Sequence, residues 1–356
     1  MRASGERFEV CPGIAVDILG DDATLRHFRA EYGSARVPLQ ADSRASMRVS
    51  IMLGGPPSGP MDAPGVIVGS HKTVSWHAVV GPPDPTRIDV TITLRGRPHS
   101  FGLSLIQGYL VEPLISVAAA AAGGVLLPSA AIVQGHGATI LLGRSRSGKS
   151  SVSARAAAAG LQVLGDDQVH LDPAGTVSRY PRRFRLYDDL SATAPDAYRR
   201  LPARARRALA IRRIIRIATL GYVAPSLPIS PGDLGAAVAN ASRISRVVVL
   251  DRVPTAQRVE LAALSAGEAV EHAMGVLDDQ RRHLRALGER WPMFLDETRR
   301  REAHVLRGLL TGVTVERIRI PDALGAAAAV DAVWQQLMGA ADRRDAPEPA
   351  TEGDGQ

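Results

Sequence analysis

Alternating apolar and polar residues characterise the first third of the chain. Between about Arg48 and Gly102, short runs with a period of two are separated by clusters of glycine and proline. Such alternation is typical of strands with one buried face, and glycine and proline clusters are typical of the turns between them. The pattern predicts antiparallel hairpins within a β-rich N-terminal module over residues 1–104, with strands at 48–53, 66–70, 73–81 and 87–96.

The pattern changes to a mixture of helices and strands after this module. Residues 105–122 predict a helix in which Pro113 lies near the start or causes a kink, and Gly123 suits a left-handed C-cap. Short β-branched or leucine-rich runs then alternate with helical patterns, as in a sheet covered by helices. We predict strands at 130–133, 139–142, 162–164, 247–250 and 315–320, and helices at 150–159, 198–219, 266–274 and 326–338.

These elements define an α/β domain over residues 105–338, followed by a tail of different composition. Residues 339–356 are rich in alanine, proline, glycine and acidic residues and contain almost no large apolar side chain. A segment of this kind cannot bury enough apolar surface to offset the entropy lost on folding. We therefore expect the tail to be disordered.

Composition excludes several classes of protein. The chain is 45% hydrophobic and 22% charged, unlike collagen-like or disordered proteins, and its single cysteine, Cys11, cannot form an internal disulfide. The first residues interleave charges and lack the apolar segment of a signal peptide. The longest apolar stretch, residues 115–132, is interrupted by Gly123, Gly124 and Pro128, so we expect no transmembrane helix. We predict a cytoplasmic protein.

The net charge of +7 comes from an unusual set of basic residues, in which only Lys72 and Lys149 are lysines and the other 41 of 43 are arginines. Biased codon usage explains this better than a nucleic-acid surface. Residues 199–216 contain eight arginines, with apolar residues recurring at helical spacing. A solvated or ion-paired face, an acidic substrate or partner, and nucleic acid are three interpretations, in that order of preference, because few aromatic residues are present for stacking on bases.

The strongest chemical motif lies at residues 143–150, which fit the phosphate-loop template G-x-x-x-x-G-K-S between an apolar strand and a helix. Glycines allow backbone N–H groups to point at phosphate oxygens, and the helix N-terminus adds a positive dipole end. With only two lysines in the chain, a chance match is rare, although a Gly/Ser turn before an ordinary helix is the alternative. We predict that the nucleotide contacts Gly143, Arg144, Ser145, Arg146, Ser147, Gly148, Lys149, Ser150 and Ser151, with Lys149 at the β- and γ-phosphates.

A second motif is the acidic pair Asp166–Asp167, which ends a predicted strand 17 residues after Lys149. One carboxylate can hold Mg²⁺ while the other accepts a proton from an attacking hydroxyl. We assign Ser150 and Asp167 to the metal, and Asp166, Asp167 and Lys149 to catalysis, leaving open which aspartate is the base. The alternative is a solvated acidic turn, since three other Asp–Asp pairs occur, none of them after a predicted strand or a phosphate loop.

Residues 112–171, with ILLG-x-S-x-x-GKSS followed by the strand and the Asp pair, resemble the HPr kinase/phosphorylase family and its kinase-like relatives. The later segments VVVLD, RVELAALSAGEAVEHAM and VTVERIRIP are similar to the later part of those relatives. The resemblance implies a P-loop kinase core, like that of phosphoenolpyruvate carboxykinase, after the β-rich module. It also implies Mg²⁺-dependent transfer of the γ-phosphoryl group of ATP to a hydroxyl, with Asp166 or Asp167 as base, and a homo-oligomer.

Three departures from the family pattern narrow this expectation. Arg146 replaces the second glycine of the usual loop, Pro128 or Ser129 stands where members commonly have histidine, and the later signature of bacterial HPr kinases is not recognisable. A specialised relative that phosphorylates a hydroxyl of a peptide, protein or small molecule is therefore preferred to a true HPr kinase. The alternative is a regulatory module that binds ATP without phosphoryl transfer.

Overall fold

The chain folds into a mixed α/β structure built on two large sheets. A computed structural model describes residues 4–39, 45–56, 63–135, 137–223, 226–235, 237 and 239–342. The N-terminal sheet has seven strands in the order β3-β1-β2-β4-β7-β6-β5. These strands are β1 (Ser4–Cys11), β2 (Ile14–Gly20), β3 (Arg36–Val37), β4 (Met47–Leu53), β5 (Val66–His71), β6 (Val74–Val80) and β7 (Ile88–Gly96).

The N-terminal sheet confirms the four predicted strands and corrects part of their pairing. Strands β5, β6 and β7 form the predicted antiparallel hairpins. Strand β4 instead pairs in parallel with both β2 and β7. Alternation of apolar residues fixes which face of a strand is buried and carries no information about strand direction, so the all-antiparallel prediction was wrong for β4. Strands β1 and β2, and helix α1 (Asp22–Tyr32), were not predicted.

A long helix connects the two sheets. It consists of α2 (His99–Ile106), a π-helical turn (Gln107–Val111) and α3 (Glu112–Ala121). Pro113 lies in the first turn of α3, where its missing N–H is tolerated, and Gly123 has a φ of 87° after the helix end. By length and composition this helix could cross a membrane, but 78% of its most apolar window is buried inside the protein. Most of this helix therefore packs within the hydrophobic core of the protein.

The same helix joins the cores of the N-terminal and later segments. The predicted boundary between residues 104 and 105 falls within α2. One hydrophobic cluster contains Phe8 of β1 and Leu114 of α3 together with Trp291 and Leu295 of a later helix. Burial of this apolar surface stabilises the contact between the N-terminal sheet and the rest of the chain.

The second sheet has nine strands, and β10 lies between β9, which is antiparallel to it, and β16, which is parallel to it. The mixed sheet with flanking helices confirms the predicted α/β class. Its strands are β8 (Val125–Leu127), β9 (Ser129–Gln134), β10 (Gly137–Leu142), β11 (Gln162–Gly165), β12 (Val169–Leu171), β13 (Thr176–Arg179), β16 (Ala241–Val253), β17 (Glu260–Ala263) and β18 (Thr314–Pro321). Strands β14 (Phe184–Leu186) and β15 (Leu227–Ile229) pair separately.

The remaining helices are α4 (Lys149–Ala158), α5 (Leu190–Thr193), α6 (Pro195–Arg200), α7 (Ala203–Ala218), α8 (Ala266–Arg281), α9 (Arg290–Leu310) and α10 (Ala326–Asp342). The single helix predicted over 198–219 is interrupted at Leu201 and Pro202, because proline supplies no N–H for a continuing helix. The sequence interpretation missed α9. Helix α10 extends into the predicted tail, whose residues 343–356 lie outside the described residues.

Candidate active site

The predicted phosphate loop connects the end of β10 to the start of α4. Both Gly143 and Gly148 are required by its backbone. A Cβ at Gly143 would lie 2.6 Å from Ser147 Oγ and 2.9 Å from the carbonyl oxygen of Leu250 in β16, and Gly148 has a φ of 100°. Glycine is the residue that tolerates both close approach and positive φ. The motif glycines therefore have a local structural reason that does not depend on any ligand.

Arg146 adopts a conformation that is unusual for a residue with a side chain. Its φ is 68°, within the left-handed region. That conformation costs a non-glycine residue roughly 1–2 kcal/mol. Arg146 is the position where the resembled family has its second glycine, so the loop keeps a glycine-like backbone although the residue is arginine.

The side chain of Lys149 folds back over the loop. Its Nζ donates hydrogen bonds to the carbonyl oxygens of Gly143 and Arg144, the second at 3.0 Å. Burial lowers the pKa of Lys149, while the negative charges of Asp167 and Asp166 act to raise it. The ammonium group therefore lies close enough to both aspartates to interact with them electrostatically.

Sheet topology explains why the Asp pair lies at the same sheet edge as the loop. Strand β11 is antiparallel to β9, and β9 is antiparallel to β10, so β10 and β11 run in the same direction. Their carboxyl ends therefore meet at one edge. Asp166 and Asp167 directly follow β11 there, as the loop follows β10.

Asp166 is a buried carboxyl group with an altered acidity. Its side chain accepts a hydrogen bond from the backbone N–H of Arg185 at 3.1 Å, and the residue is only 2% exposed. Burial, together with the negative charge of Asp167, raises the pKa of Asp166 to about 7. A carboxyl group with this pKa exchanges a proton near neutral pH, which suits a general acid or base.

Asp167 occupies a different environment, although it is the next residue. Its Oδ2 accepts a hydrogen bond from Arg182 at 2.5 Å, and its side chain is 45% exposed. The same guanidinium nitrogen donates to Glu112 Oε2 at 2.7 Å. Burial raises the pKa of Glu112, the charge of Asp167 adds to that effect, and Arg182 opposes it. Arg182 therefore holds the more accessible aspartate in place and links it to Glu112 of α3.

Helix α1 of the N-terminal segment supports the segment that contains these arginines. Glu31 accepts from Arg183 at 2.6 Å and lies 3.2 Å from the guanidinium of Arg185. Glu31 is fully buried, and an ion pair in such a place is specific in geometry because breaking it would leave an isolated charge. The N-terminal segment thus helps to fix the residue whose backbone N–H binds Asp166.

Sequence reasoning did not assign Glu112, Arg182, Arg183 or Arg185 to the site. A usable signal was present in YPRRFR at 180–185, which places three arginines shortly after the Asp pair. It was missed because arginine is the default basic residue of this chain. Glu112 was missed for a different reason: it is the only acidic residue in an apolar helix and so forms no recognisable motif.

Asp251 is a further acidic residue at this edge that the sequence interpretation did not assign. It follows the buried run VVVL of β16, the parallel neighbour of β10. Burial lowers the pKa of His272, and Asp251, Arg144 and Lys149 all influence that pKa. These charges therefore lie around the same histidine. An apolar strand that ends in aspartate was the signal.

The predicted loop serines differ in their surroundings. Ser147 is buried, and its Oγ has no hydrogen-bond partner among the described residues. Ser151 Oγ donates to Thr193 Oγ1 at 3.1 Å, which joins α4 to α5. Arg144, Ser145 and Arg146 are exposed, and Ser150 is half-buried in the first turn of α4. An unpartnered buried hydroxyl in the loop is a polar group available to an oxygen-rich ligand.

Within the part of the chain that the structure describes, no three His, Cys, Asp or Glu side chains cluster as a metal cage. Mg²⁺ seldom needs such a cage, since one or two protein oxygens, waters and substrate phosphates usually hold it. Ser150 and Asp167 supply oxygens of that kind. Neither a protein-family model nor a curated protein sequence matches this chain.

Proposed function

We propose that the protein is a kinase that transfers the γ-phosphoryl group of ATP to a hydroxyl group, with Mg²⁺ as cofactor. One observation carries the proposal. The glycine-dependent loop with Lys149 lies at the same sheet edge as Asp166, whose pKa is raised to about 7. A positive loop for phosphates beside a carboxyl group that titrates near neutral pH fits phosphoryl transfer to an alcohol.

The loop residues 143–151 would bind the phosphates of ATP. Backbone N–H groups at the N-terminus of α4 and the ammonium of Lys149 provide positive charge where the phosphates carry negative charge. Lys149 now donates to two loop carbonyls, and those bonds would be exchanged for bonds to phosphate oxygens. Ser150 and Asp167 would hold Mg²⁺, which neutralises charge on the phosphates.

Asp166 is the preferred base. In the deprotonated form it would accept the proton of the acceptor hydroxyl as the oxygen bonds to the γ-phosphorus. The bond between that phosphorus and the β,γ-bridging oxygen breaks, and ADP leaves. Arg182 keeps Asp167 in place, and Arg185 orients Asp166 through its backbone N–H. This division assigns the ion-paired, accessible aspartate to the metal and the buried one to proton transfer.

The acceptor would be a hydroxyl of the serine or threonine type on a peptide, protein or small molecule. The resemblance to kinase-like relatives of HPr kinase supports this class and a homo-oligomer. ATP and Mg²⁺ are abundant in the cytoplasm, which is the compartment we propose. Nucleic acid is not a proposed partner.

The test is incubation of the purified protein with Mg²⁺, ATP and candidate acceptors, followed by mass spectrometry for a phosphoryl adduct. The proposal predicts a product with the wild-type protein and loss of that product with Asp166→Asn. Asp296→Asn is a suitable control, because it makes the same substitution at an exposed aspartate that pairs with Arg285 outside the loop and the Asp pair. ATP binding without any phosphorylated product across serine- and threonine-bearing acceptors would argue against a kinase.

The second candidate is an ATP-binding regulatory module that does not transfer phosphate. The near-complete burial of Asp166 favours it, since an acceptor hydroxyl must reach that carboxylate. This candidate predicts slow ATP turnover that is insensitive to Asp166→Asn, together with binding of a partner that depends on ATP. The two readouts separate it from a kinase.

A further inference from the structure

The second half of α7 and the turn after it present an exposed surface that is both apolar and basic. Ile214 is 66% exposed and Leu220 is 97% exposed. With about 3.6 residues per turn, the exposed positions of this half cover more than half of the helix circumference. We define the α7 surface by Arg207, Ile211, Arg213, Ile214, Ile217 and Leu220, all of which are exposed.

The sequence favoured a solvated or ion-paired face for these arginines, and Arg199, Arg204 and Arg216 do form ion pairs. The exposure of the apolar residues beside them was not predicted. Only Ala205 and Leu209 of α7 are buried, so the apolar residues of its second half remain uncovered. Arg207 and Arg213 form no ion pair within the described ranges. Adjacent exposed apolar side chains are typical of interaction sites, and unpaired arginines beside them favour an acidic partner.

A residue on the flank of the α7 surface connects α7 to the candidate active site. Arg216 pairs with Asp188 at 2.9 Å. The preceding residue, Tyr187, is close enough to Asp167 and Asp166 for both charges to affect its pKa, which burial raises. One ion pair therefore joins α7, beside the α7 surface, to a segment that lies close to the Asp pair.

A second contact connects the end of the surface to the long helix. Lys72 Nζ lies 5.1 Å from the ring centre of Tyr222, just after α7, and 5.9 Å from that of Phe101 in α2. The same helix continues to Glu112, which binds Arg182. The end of the region at Tyr222 therefore lies near the start of the long helix.

We propose that the α7 surface docks the acceptor as an acidic peptide segment with apolar side chains, so that a nearby hydroxyl residue reaches Asp166. This inference rests on the proposed kinase function and names its substrate class. Residues 199–223 contain eight arginines and no acid, which complements glutamate or aspartate side chains. Isoleucines on the same surface complement leucine-like side chains, a contact that nucleic acid does not supply.

Position favours a peptide over an anionic membrane. A membrane would bind the α7 surface equally well wherever it lay on the molecule. A peptide substrate requires the surface to border the site, and the Arg216–Asp188 pair connects α7 to the segment at Tyr187, which is close to the Asp pair. The apolar contacts would supply most of the affinity, and the arginines would supply orientation, a faster encounter and dependence on salt.

The experiment uses two labelled synthetic peptides of 16 residues and fluorescence anisotropy. The first peptide alternates glutamate and leucine around one serine, and the second has lysine in place of glutamate. The full chain is compared with Arg207→Glu/Arg213→Glu and with Ile214→Ser/Ile217→Ser. Matched controls are Arg290→Glu/Arg307→Glu and Met293→Ser on α9, which change exposed residues away from α7.

The proposal predicts that the acidic peptide binds at least about tenfold more tightly than the lysine peptide and weakens with salt. Each α7 variant should lose about tenfold or more in affinity, while the α9 controls stay within about twofold. Equal binding by the α7 variants and wild type would overturn it. So would failure of the acidic peptide to bind at 1 mM, or α7-dependent binding of phosphatidylserine vesicles in its place.

ATP turnover without peptide, measured on the same samples, separates this inference from the kinase proposal. The α7 variants should keep wild-type turnover, because their changes lie outside the phosphate loop and the Asp pair. Turnover that is absent, or indifferent to Asp166→Asn, would count against the kinase function whatever the peptide result. Normal, Asp166-dependent turnover with unchanged peptide binding in the α7 variants would count against docking alone.

Discussion

Two regions of this protein use charged residues in opposite ways. At the edge of the second sheet, Asp166 and Glu112 are buried, Arg182 is largely buried, and these groups bind one another or backbone groups. On α7, Arg207 and Arg213 are exposed beside isoleucines. When a charged group is buried, its pKa and its geometry depend strongly on its neighbours, so removing a neighbour changes the stability of the protein. Exposure leaves charge free to attract a partner, and contributes little to folding.

The largest expected effect is the loss of activity on replacing Lys149. This residue lies beside the Asp pair and provides the positive charge that the proposed function uses at the phosphates. Lys149→Arg keeps the positive charge but replaces a compact ammonium with a planar guanidinium that cannot take the same place in the loop. ATP-dependent phosphoryl transfer should fall by roughly 10²–10³-fold, the usual effect of losing a preorganised donor. Steady-state assays measure this. Lys72→Arg is the matched control, and a fully active Lys149→Arg protein would undermine the phosphate-loop assignment.

The next largest effect is on the free energy of unfolding, where a largely buried arginine is compared with an exposed one. Arg182→Met leaves Glu112 buried without its ion-pair partner and should lower the free energy of unfolding by about 3 kcal/mol. Arg213→Met on α7 should change it by less than about 0.5 kcal/mol. Urea unfolding measures both. The double variant Arg182→Met/Glu112→Leu should regain part of the loss, and equal effects of the two single substitutions would break the comparison.

A smaller effect with a defined pH dependence is expected at Asp166. Its pKa is raised from 3.8 to about 7 in the folded protein, so the folded state binds more protons than the unfolded state between those values. Stability contributed by this residue therefore falls as pH rises from about 4 to about 7. Asp166→Asn should remove that penalty and stabilise the protein by about 1–4 kcal/mol at pH 8, with little change at pH 4.

Thermal or urea unfolding of Asp166→Asn and wild type at several pH values measures this difference. Asp296→Asn, an exposed aspartate paired with Arg285, is a control that should show little effect. A stabilisation that does not grow between pH 4 and pH 7 would contradict the raised pKa. Gain of stability with loss of activity is the combination expected of a functional residue.

The smallest effect concerns Arg146. Because its φ is 68°, Arg146→Gly should stabilise the fold by about 1 kcal/mol. If the arginine serves only to fill a glycine position, ATP turnover should stay within about twofold of wild type. A stable variant with much weaker ATP binding would instead identify Arg146 as a phosphate contact. Differential scanning calorimetry measures the change in stability, and nucleotide titration measures the change in ATP affinity.

Some parts of the fold could be predicted from the sequence because local patterns decide them. The strand, loop and helix around Lys149 follow from apolar runs and two glycines, and α4 begins within one residue of its predicted start. The helix break at Pro202 follows from proline chemistry and was still overlooked, because the apolar spacing on both sides was continuous. The parallel pairing of β4 depends on contacts distant in sequence, which periodicity does not record.

The candidate site shows the same division. Asp166 and Asp167 were identified from the strand before them, yet their different environments depend on Arg182 and Arg185, which follow β13, and on Glu112 from α3. No local sequence pattern predicts that one guanidinium group, that of Arg182, binds two carboxylates from separate elements. The exposure of Ile211 and Ile214 could not be predicted either, because helical spacing predicts an apolar face but not whether another element covers it.

The role of Asp166 as the base can be tested by measuring the rate of γ-phosphate release from ATP as a function of pH for wild type and Asp166→Asn. This assay needs no identified acceptor, because water can replace the hydroxyl slowly. The account predicts that the wild-type rate falls as pH decreases through about 7, where Asp166 becomes protonated, and that Asp166→Asn is slow at every pH. Turnover that is independent of pH in this range and unchanged by Asp166→Asn would contradict it.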